Sequence, residues 1–165
     1  MKSAEYWIEK LQMSPHPEGG YFKEVYRSEE SHKGEHLPGR FGGDRSHGTS
    51  IYFLLVGKQV SKFHRIKSDE IWHFYDGSPV KIYRITNEGE LAEMVLGRDY
   101  DIGERLQGVI PKGEWFGAEV NDKDFYSLCG CTVAPGFHFE DFELAEREAL
   151  AITYPHLDEI IRRLT

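Results

Sequence analysis

Cysteine is scarce in this chain: two thiols among 165 residues. Cys129 and Cys131 sit two apart in YSLCGCTV, a spacing that rarely has the geometry for a mutual disulfide. That argues against a disulfide-stapled scaffold and for two small buried side chains in a reducing compartment. Long apolar runs are missing as well. None approaches the roughly 20 residues that span a bilayer, and MKSAEYWIEKLQM at the start lacks the apolar core and cleavage site of a secretory signal. The expectation is a cytoplasmic protein with no membrane partner. Positive charge is also in short supply, with 20 Lys and Arg against 28 Asp and Glu and a net charge of -8. Such a balance opposes phosphate backbones, so nucleic acid is not expected as a partner.

Internal repeats, low-complexity segments and linkers are absent too. What remains is a chain with 39% hydrophobic and 13% aromatic residues, long enough to bury a substantial core as one domain over residues 1–165. Tyr6 or Trp7, Ile8 and Leu11 recur at helical spacing behind Ser3, a candidate N-cap, and Pro15 and Pro17 end that helix within residues 1–15. HPEGG, with His16 and Glu18, reads as a turn, and YFKEVYR as a first strand. Residues 28–48 are polar, glycine-rich and aperiodic. Their histidines His32, His36 and His47 match no metal-ligand spacing and read as solvated, with a lid as the minority reading.

From TSIYFLLV onward, short strands alternate with glycine-rich turns every eight to twelve residues through about residue 139, which argues an all-β, mainly antiparallel barrel or sandwich. The strand at 49–56 has two apolar faces, Tyr52, Leu54 and Val56 on one and Ile51, Phe53 and Leu55 on the other. Its second face calls for another layer, and a homodimer interface is the expected cover. Residues 140–165 change to helical period, with one helix read from Asp141 and a second from Pro155.

The most informative stretch is residues 57–77, GKQVSKFHRIKSDEIWHFYDG. If its two apolar runs form a hairpin, alternation puts His64 and Ile66 on one face to meet Glu70, Trp72 and Phe74. A pocket walled by rings, with one imidazole and one carboxylate inside, is the usual make-up of a small-molecule site.

These residues resemble the cupin superfamily, whose first motif places a glycine, a His-x-His pair, a glutamate and a closing glycine on adjacent strands. Gly57, His64, Glu70 and Gly77 fit it, with Ile66 in place of the second histidine. The second motif, Pro-x-Gly-x-x-His, is matched by Pro111 and Gly113 but ends in Phe116. HPEGGYFKEVYRS, SDEIWHFYDG, PKGEWFGAEV and YSLCGCTVAPGFHFEDFEL are similar to segments of one branch, the DUF985 or Cupin_5 family, which has no assigned general activity. The resemblance implies an RmlC-like jelly-roll β-barrel over residues 20–139, commonly dimeric, with a pocket at the usual cupin position.

Two of the four cupin metal donors are thus replaced by hydrocarbon, so no cofactor is expected. A divalent ion (Fe, Mn, Ni or Zn) on His64 and Glu70, serving a dioxygenase-like reaction, is the alternative. Without metal, His64 and Glu70 are expected to pair, with the carboxylate raising the basicity of the imidazole, and to act as acid and base in an isomerase- or epimerase-type proton transfer on a sugar-like molecule. Tyr52 and Tyr126 are further candidate proton donors. Trp72, Phe74, Ile66, Trp115 and Phe116 are candidate ligand walls, and Arg27 or Arg65 a contact for an anionic group. The third reading is a non-catalytic structural or interaction module with the His–Glu pair simply buried.

Overall fold

The computed structural model describes residues 2–165. In chain order it comprises α1 (Ala4–Lys10), β1 (Ser14–Pro15), β2 (Tyr21–Arg27), β3 (Ser31–His32), β4 (Arg45–Ser46), β5 (Thr49–Val56), β6 (Val60–Arg65) and β7 (Asp69–Gly77). There follow β8 (Val80–Ile85), β9 (Leu91–Leu96), β10 (Gln107–Ile110), β11 (Trp115–Val120), β12 (Tyr126–Ala134), β13 (Glu143–Leu144), α2 (Arg147–Thr153) and α3 (Asp158–Arg163). Two antiparallel sheets carry the architecture, one in the order β1-β2-β5-β12-β7-β10 and the other β13-β6-β11-β8-β9. This is the mainly antiparallel all-β architecture expected from the strand spacing, in the jelly-roll form that the cupin resemblance implies. No helix among the described residues is long and apolar enough to cross a membrane.

The sheets close on a core of inward side chains that includes Phe53, Leu55, Trp72, Ile82, Phe116 and Cys131. Strand β7 shows the period-2 rule most plainly: Glu70, Trp72 and Phe74 are buried, whereas Asp69, Ile71 and Tyr75 are exposed. Both cysteines are free and buried on that inner side. Burial of the sulfur pushes both thiols above their ordinary range, so they stay protonated.

The hairpin expected within residues 57–77 does not form. Strand β6 pairs with β11 and β13, whereas β7 pairs with β12 and β10. The chain changes sheets at residues 66–68, where Ile66 turns inward and Ser68 Oγ donates to the Pro135 carbonyl at 2.9 Å. The physical reason is that each strand finds its ladder partner far away in sequence. His64 and Glu70 therefore approach the interior from opposite sheets.

Helices cover the outer faces. Ser3 caps α1 by accepting from the Tyr6 amide at 3.2 Å, and the helix ends before Gln12, whose φ is 54°. Its residues Ala4, Trp7, Ile8 and Leu11 pack on Leu54, Tyr126, Leu128, Tyr52 and Val56. The second apolar face of β5, expected to meet a partner subunit, is thus covered by this chain's own helix and provides no argument for a dimer. On the other sheet α2 and α3 bury Leu150, Ile160, Ile161 and Leu164 against Phe63, Tyr83 and Ile85. The helix expected from Asp141 starts later, at Arg147, because Glu143 and Leu144 first add a short strand to the edge of β6 and Glu146 then caps the helix by accepting from the Ala149 amide.

The turn 16–20 joins the two sheets. The Lys62 amide donates to the Glu18 carbonyl at 2.8 Å and the His16 amide to the Gly20 carbonyl at 3.0 Å. Gly19 has φ +115°, and a Cβ there would collide with the Val60 carbonyl. Gly19→Ala is therefore expected to cost about 3 kcal/mol, the scale of a left-handed residue combined with a backbone clash. A urea denaturation series checks it, and an unchanged midpoint would contradict the close approach.

Candidate functional site

The turn at 16–20 brings a carboxylate onto the expected histidine. Glu18 Oε2 lies 3.1 Å from His64 Nε2, and both side chains are more than nine-tenths buried. The other carboxylate oxygen, Oε1, accepts from Ser61 Oγ at 2.7 Å. The far side of the His64 ring meets the Lys62 carbonyl at 2.7 Å through Nδ1. Because a carbonyl only accepts, Nδ1 carries the ring proton and Nε2 faces Glu18 with its lone pair when the ring is neutral. Burial pushes His64 below and Glu18 above its ordinary range, so the proton between them belongs with the carboxyl, which donates it to Nε2. His16 completes the group: its Nδ1 accepts from the Glu18 amide at 3.3 Å, leaving the neutral ring's proton on Nε2. Burial lowers His16 too.

Glu70 faces this group from β7. Burial is the main cause that pushes its carboxyl up from 4.5 to about 7, and Glu18 adds to the rise whenever it ionises. His64, Cys131 and the Trp72 indole oppose it. The indole N–H lies close enough to favour the carboxylate but outside hydrogen-bonding geometry, and it has no partner among the described residues.

The expected His64–Glu70 hydrogen-bonded pair does not form. The imidazole bonds to Glu18, and Glu70 reaches it only through charge. Nor is the ring made more basic, because the cost of burying its charged form outweighs the pull of Glu70.

Between these groups lies a cavity of about 80 Å3, room for several waters or a small organic fragment. His16, Glu18, His64, Ile66 and Glu70 line its polar end, with Phe22, Phe137, Phe139 and Phe142 among its walls. Of the residues singled out in the sequence, His64, Glu70, Ile66 and Arg27 reach the cavity. Phe116 stands behind the His64 ring with centroids 4.1 Å apart. Trp72 and Phe74 belong to the packed core beneath rather than to the lining.

Three others lie elsewhere, for the same reason of alternation. Trp115 points outward, with Arg65 4.4 Å above its ring and the C-terminal helices beside it. Tyr52 packs on the outer face of β5 with Tyr75 at 5.9 Å. Tyr126 accepts from Trp7 Nε1 at 3.0 Å and donates to Asp76 at 2.7 Å under α1. None of the three can pass a proton into the cavity. Arg27 is at the mouth, but its donors are engaged by Glu24 at 3.0 and 2.7 Å and by the Phe137 carbonyl at 3.0 Å.

His16, Glu18 and Ser61 were missed by sequence reasoning. The available signal was an acidic residue set against two glycines in HPEGG, since a pair of left-handed residues fixes its direction tightly. The ring density of GFHFEDF outside any strand pattern was the corresponding signal for Phe137, Phe139 and Phe142.

The cupin metal does not fit this donor set. Ile66 and Phe116 put hydrocarbon where two imidazoles would stand, and His64 has both ring nitrogens engaged. Among the described residues no group of three or more His, Cys, Asp and Glu side chains is placed to hold an ion.

Two packed antiparallel sheets with helices on their outer faces define a jelly-roll protein of the cupin class. The model for the Cupin superfamily (DUF985) family matches residues 5–145, and the chain belongs to that family. It is similar to protein SO0799 from Shewanella oneidensis, at 42% identity and a TM-score of 0.90, covering 100% of this chain and 98% of that one. The Uncharacterized protein YML079W of Saccharomyces cerevisiae is 31% identical over 157 residues, which cover 88% of this chain and 77% of that protein. Oxalate decarboxylase from Bacillus subtilis shares the fold alone, at 14% identity and a TM-score of 0.58, with 96% of this chain lying on 38% of that chain.

Proposed function

We propose that the cavity receives the reacting part of a small organic molecule and moves a proton on it without a metal. The observation that carries this reading is a carboxyl poised near neutrality, Glu70 at about 7, facing a neutral Glu18–His64 pair across an aromatic-walled cavity. A group that titrates near the working pH is the most effective proton carrier, because both of its forms are populated. Glu70 as carboxylate takes a proton from a carbon beside a carbonyl. Glu18, held against His64 by the turn between β1 and β2, releases to the substrate the proton it shares with that ring, and exchange with water then returns Glu70 and Glu18 to their starting forms. The result is an isomerisation or epimerisation, in which one proton leaves and one arrives.

The test begins with a thermal-shift screen of sugars, sugar phosphates and small oxo-acids. A stabilising compound is then incubated in D2O and its C–H signals followed by proton NMR. Wild type is expected to exchange one proton for deuterium, and Glu70→Gln to bind the compound while exchanging at least 100-fold more slowly. Exchange that persists in Glu70→Gln would remove Glu70 from the chemistry. Stoichiometric Fe, Mn, Ni or Zn in untagged protein that is lost together with exchange on chelation would overturn the metal-free reading.

A further inference from the structure

A second concavity of about 370 Å3 adjoins the cavity and shares Ile66 and Phe142 with it as a common wall. It lies between the end of β6, the β10–β11 turn, Arg40 and the segment around β13. Its cationic lining is Arg40, Arg65, Lys67 and Lys112, a local reversal of sign in a chain of net charge -8.

Three carboxylates also line it, and two are closely engaged. Asp141 is held from below by buried Arg45 through contacts of 2.6 and 2.7 Å, with Lys67 Nζ 3.5 Å away. Glu143 accepts from Arg65 Nε at 2.7 Å, which leaves the terminal nitrogens of that guanidinium free. Glu140 is 65% exposed and at 3.5 Å from Arg45. Arg40 and Lys112 have no carboxylate within ion-pair distance among the described residues. Arg40 uses only Nε, on the Lys67 carbonyl at 2.8 Å. Arg27, by contrast, has its donors engaged and is a poor anion receptor.

We infer that this cleft receives a phosphoryl group carried by the molecule whose reacting end enters the cavity. Uncommitted guanidinium and ammonium donors from three separate segments converge there, and charge-assisted hydrogen bonds to a multiply charged oxyanion use them together. A lone carboxylate would need one arginine and far less volume. The shared-ligand half of the inference rests on the proposed function of the cavity; the anion half does not.

Inorganic phosphate, pyrophosphate and acetate titrated by calorimetry at constant ionic strength test the anion half alone. Pyrophosphate is expected to saturate, to bind at least tenfold more weakly to the Arg40→Ala/Lys112→Ala double variant, and to bind Glu70→Gln as it does wild type. Both substituted side chains are exposed, so the fold is retained, and a melting curve verifies this. Unsaturable binding, unchanged affinity in the double variant, or acetate binding as tight as pyrophosphate would overturn the phosphoryl site. If pyrophosphate binds as expected but no sugar phosphate binds more tightly than pyrophosphate itself, the shared ligand is overturned while the anion site stands.

Discussion

Glu70→Gln is expected to raise the melting temperature at pH 8 and to leave it nearly unchanged at pH 5. The Glu70 carboxyl is raised from 4.5 to about 7 in the folded protein. Between those two values the folded state holds a proton that the unfolded chain has released, so stability falls as pH rises through this window. Below it both states are protonated and no cost appears. Above pH 7 the folded protein keeps a buried charge at a cost of about 3 kcal/mol. A neutral amide avoids that cost, and for a chain of this size the gain corresponds to roughly 6–12 °C. Scanning calorimetry at half-unit steps from pH 5 to 8 checks it. Parallel curves for the two proteins would show that Glu70 titrates as an ordinary carboxyl. Glu18, raised by its own burial, adds a loss of the same sign, and Glu18→Gln in the same series separates the two.

Arg45→Met is expected to cost about 3–5 kcal/mol, because it leaves the Asp141 carboxylate buried with only the more distant Lys67 to compensate it. Arg45 is 3% and Asp141 6% exposed, and the guanidinium beside it holds the Asp141 carboxyl below its usual range despite burial. The pair ties residues 28–48 to the segment that carries Phe139 and Phe142. Loss of the fastening therefore loosens the aromatic wall of the cavity as well as the loop. The double variant Arg45→Met/Asp141→Leu is expected to recover most of the stability, since hydrocarbons of similar size need no counter-charge. Urea midpoints of the two single variants and the double variant form the cycle. A cost below 1 kcal/mol for Arg45→Met would mean that the contact is solvated.

The strands were legible because alternation is local. Each strand of the barrel announces which residues point inward, and Glu70, Trp72 and Phe74 do so on β7. Sheet membership was not legible, because β6 and β7 are neighbours in sequence but each bonds to strands more than thirty residues away. A hairpin and a change of sheets have the same local pattern; only the partners differ. The same blindness affected β5, where an apolar outer face signals the need for a cover without saying whether that cover is a second subunit or α1. Within the site, the losses at Ile66 and Phe116 were readable from residue type alone. The gain of Glu18 was not, since a turn glutamate becomes a partner of His64 only once Gly19 and Gly20 aim it across the barrel. Residues 28–48 looked aperiodic because their order comes from the two-residue pairing of β3 with β4, from Asp44 bridging to Lys33 and the Gly34 amide, from buried Phe41 and from the Arg45–Asp141 ion pair rather than from a repeating pattern.

The turn at 16–20 also bears on the order in which the molecule assembles. Glu18 closes onto Ser61, 43 positions further along the chain, and bringing such distant segments together is entropically slow compared with forming neighbouring contacts. The proton-bearing pair cannot exist in a chain that has made only its local strands. It forms with the meeting of the two sheets, so the rate at which Glu18 and His64 become shielded from water is a kinetic marker of barrel closure.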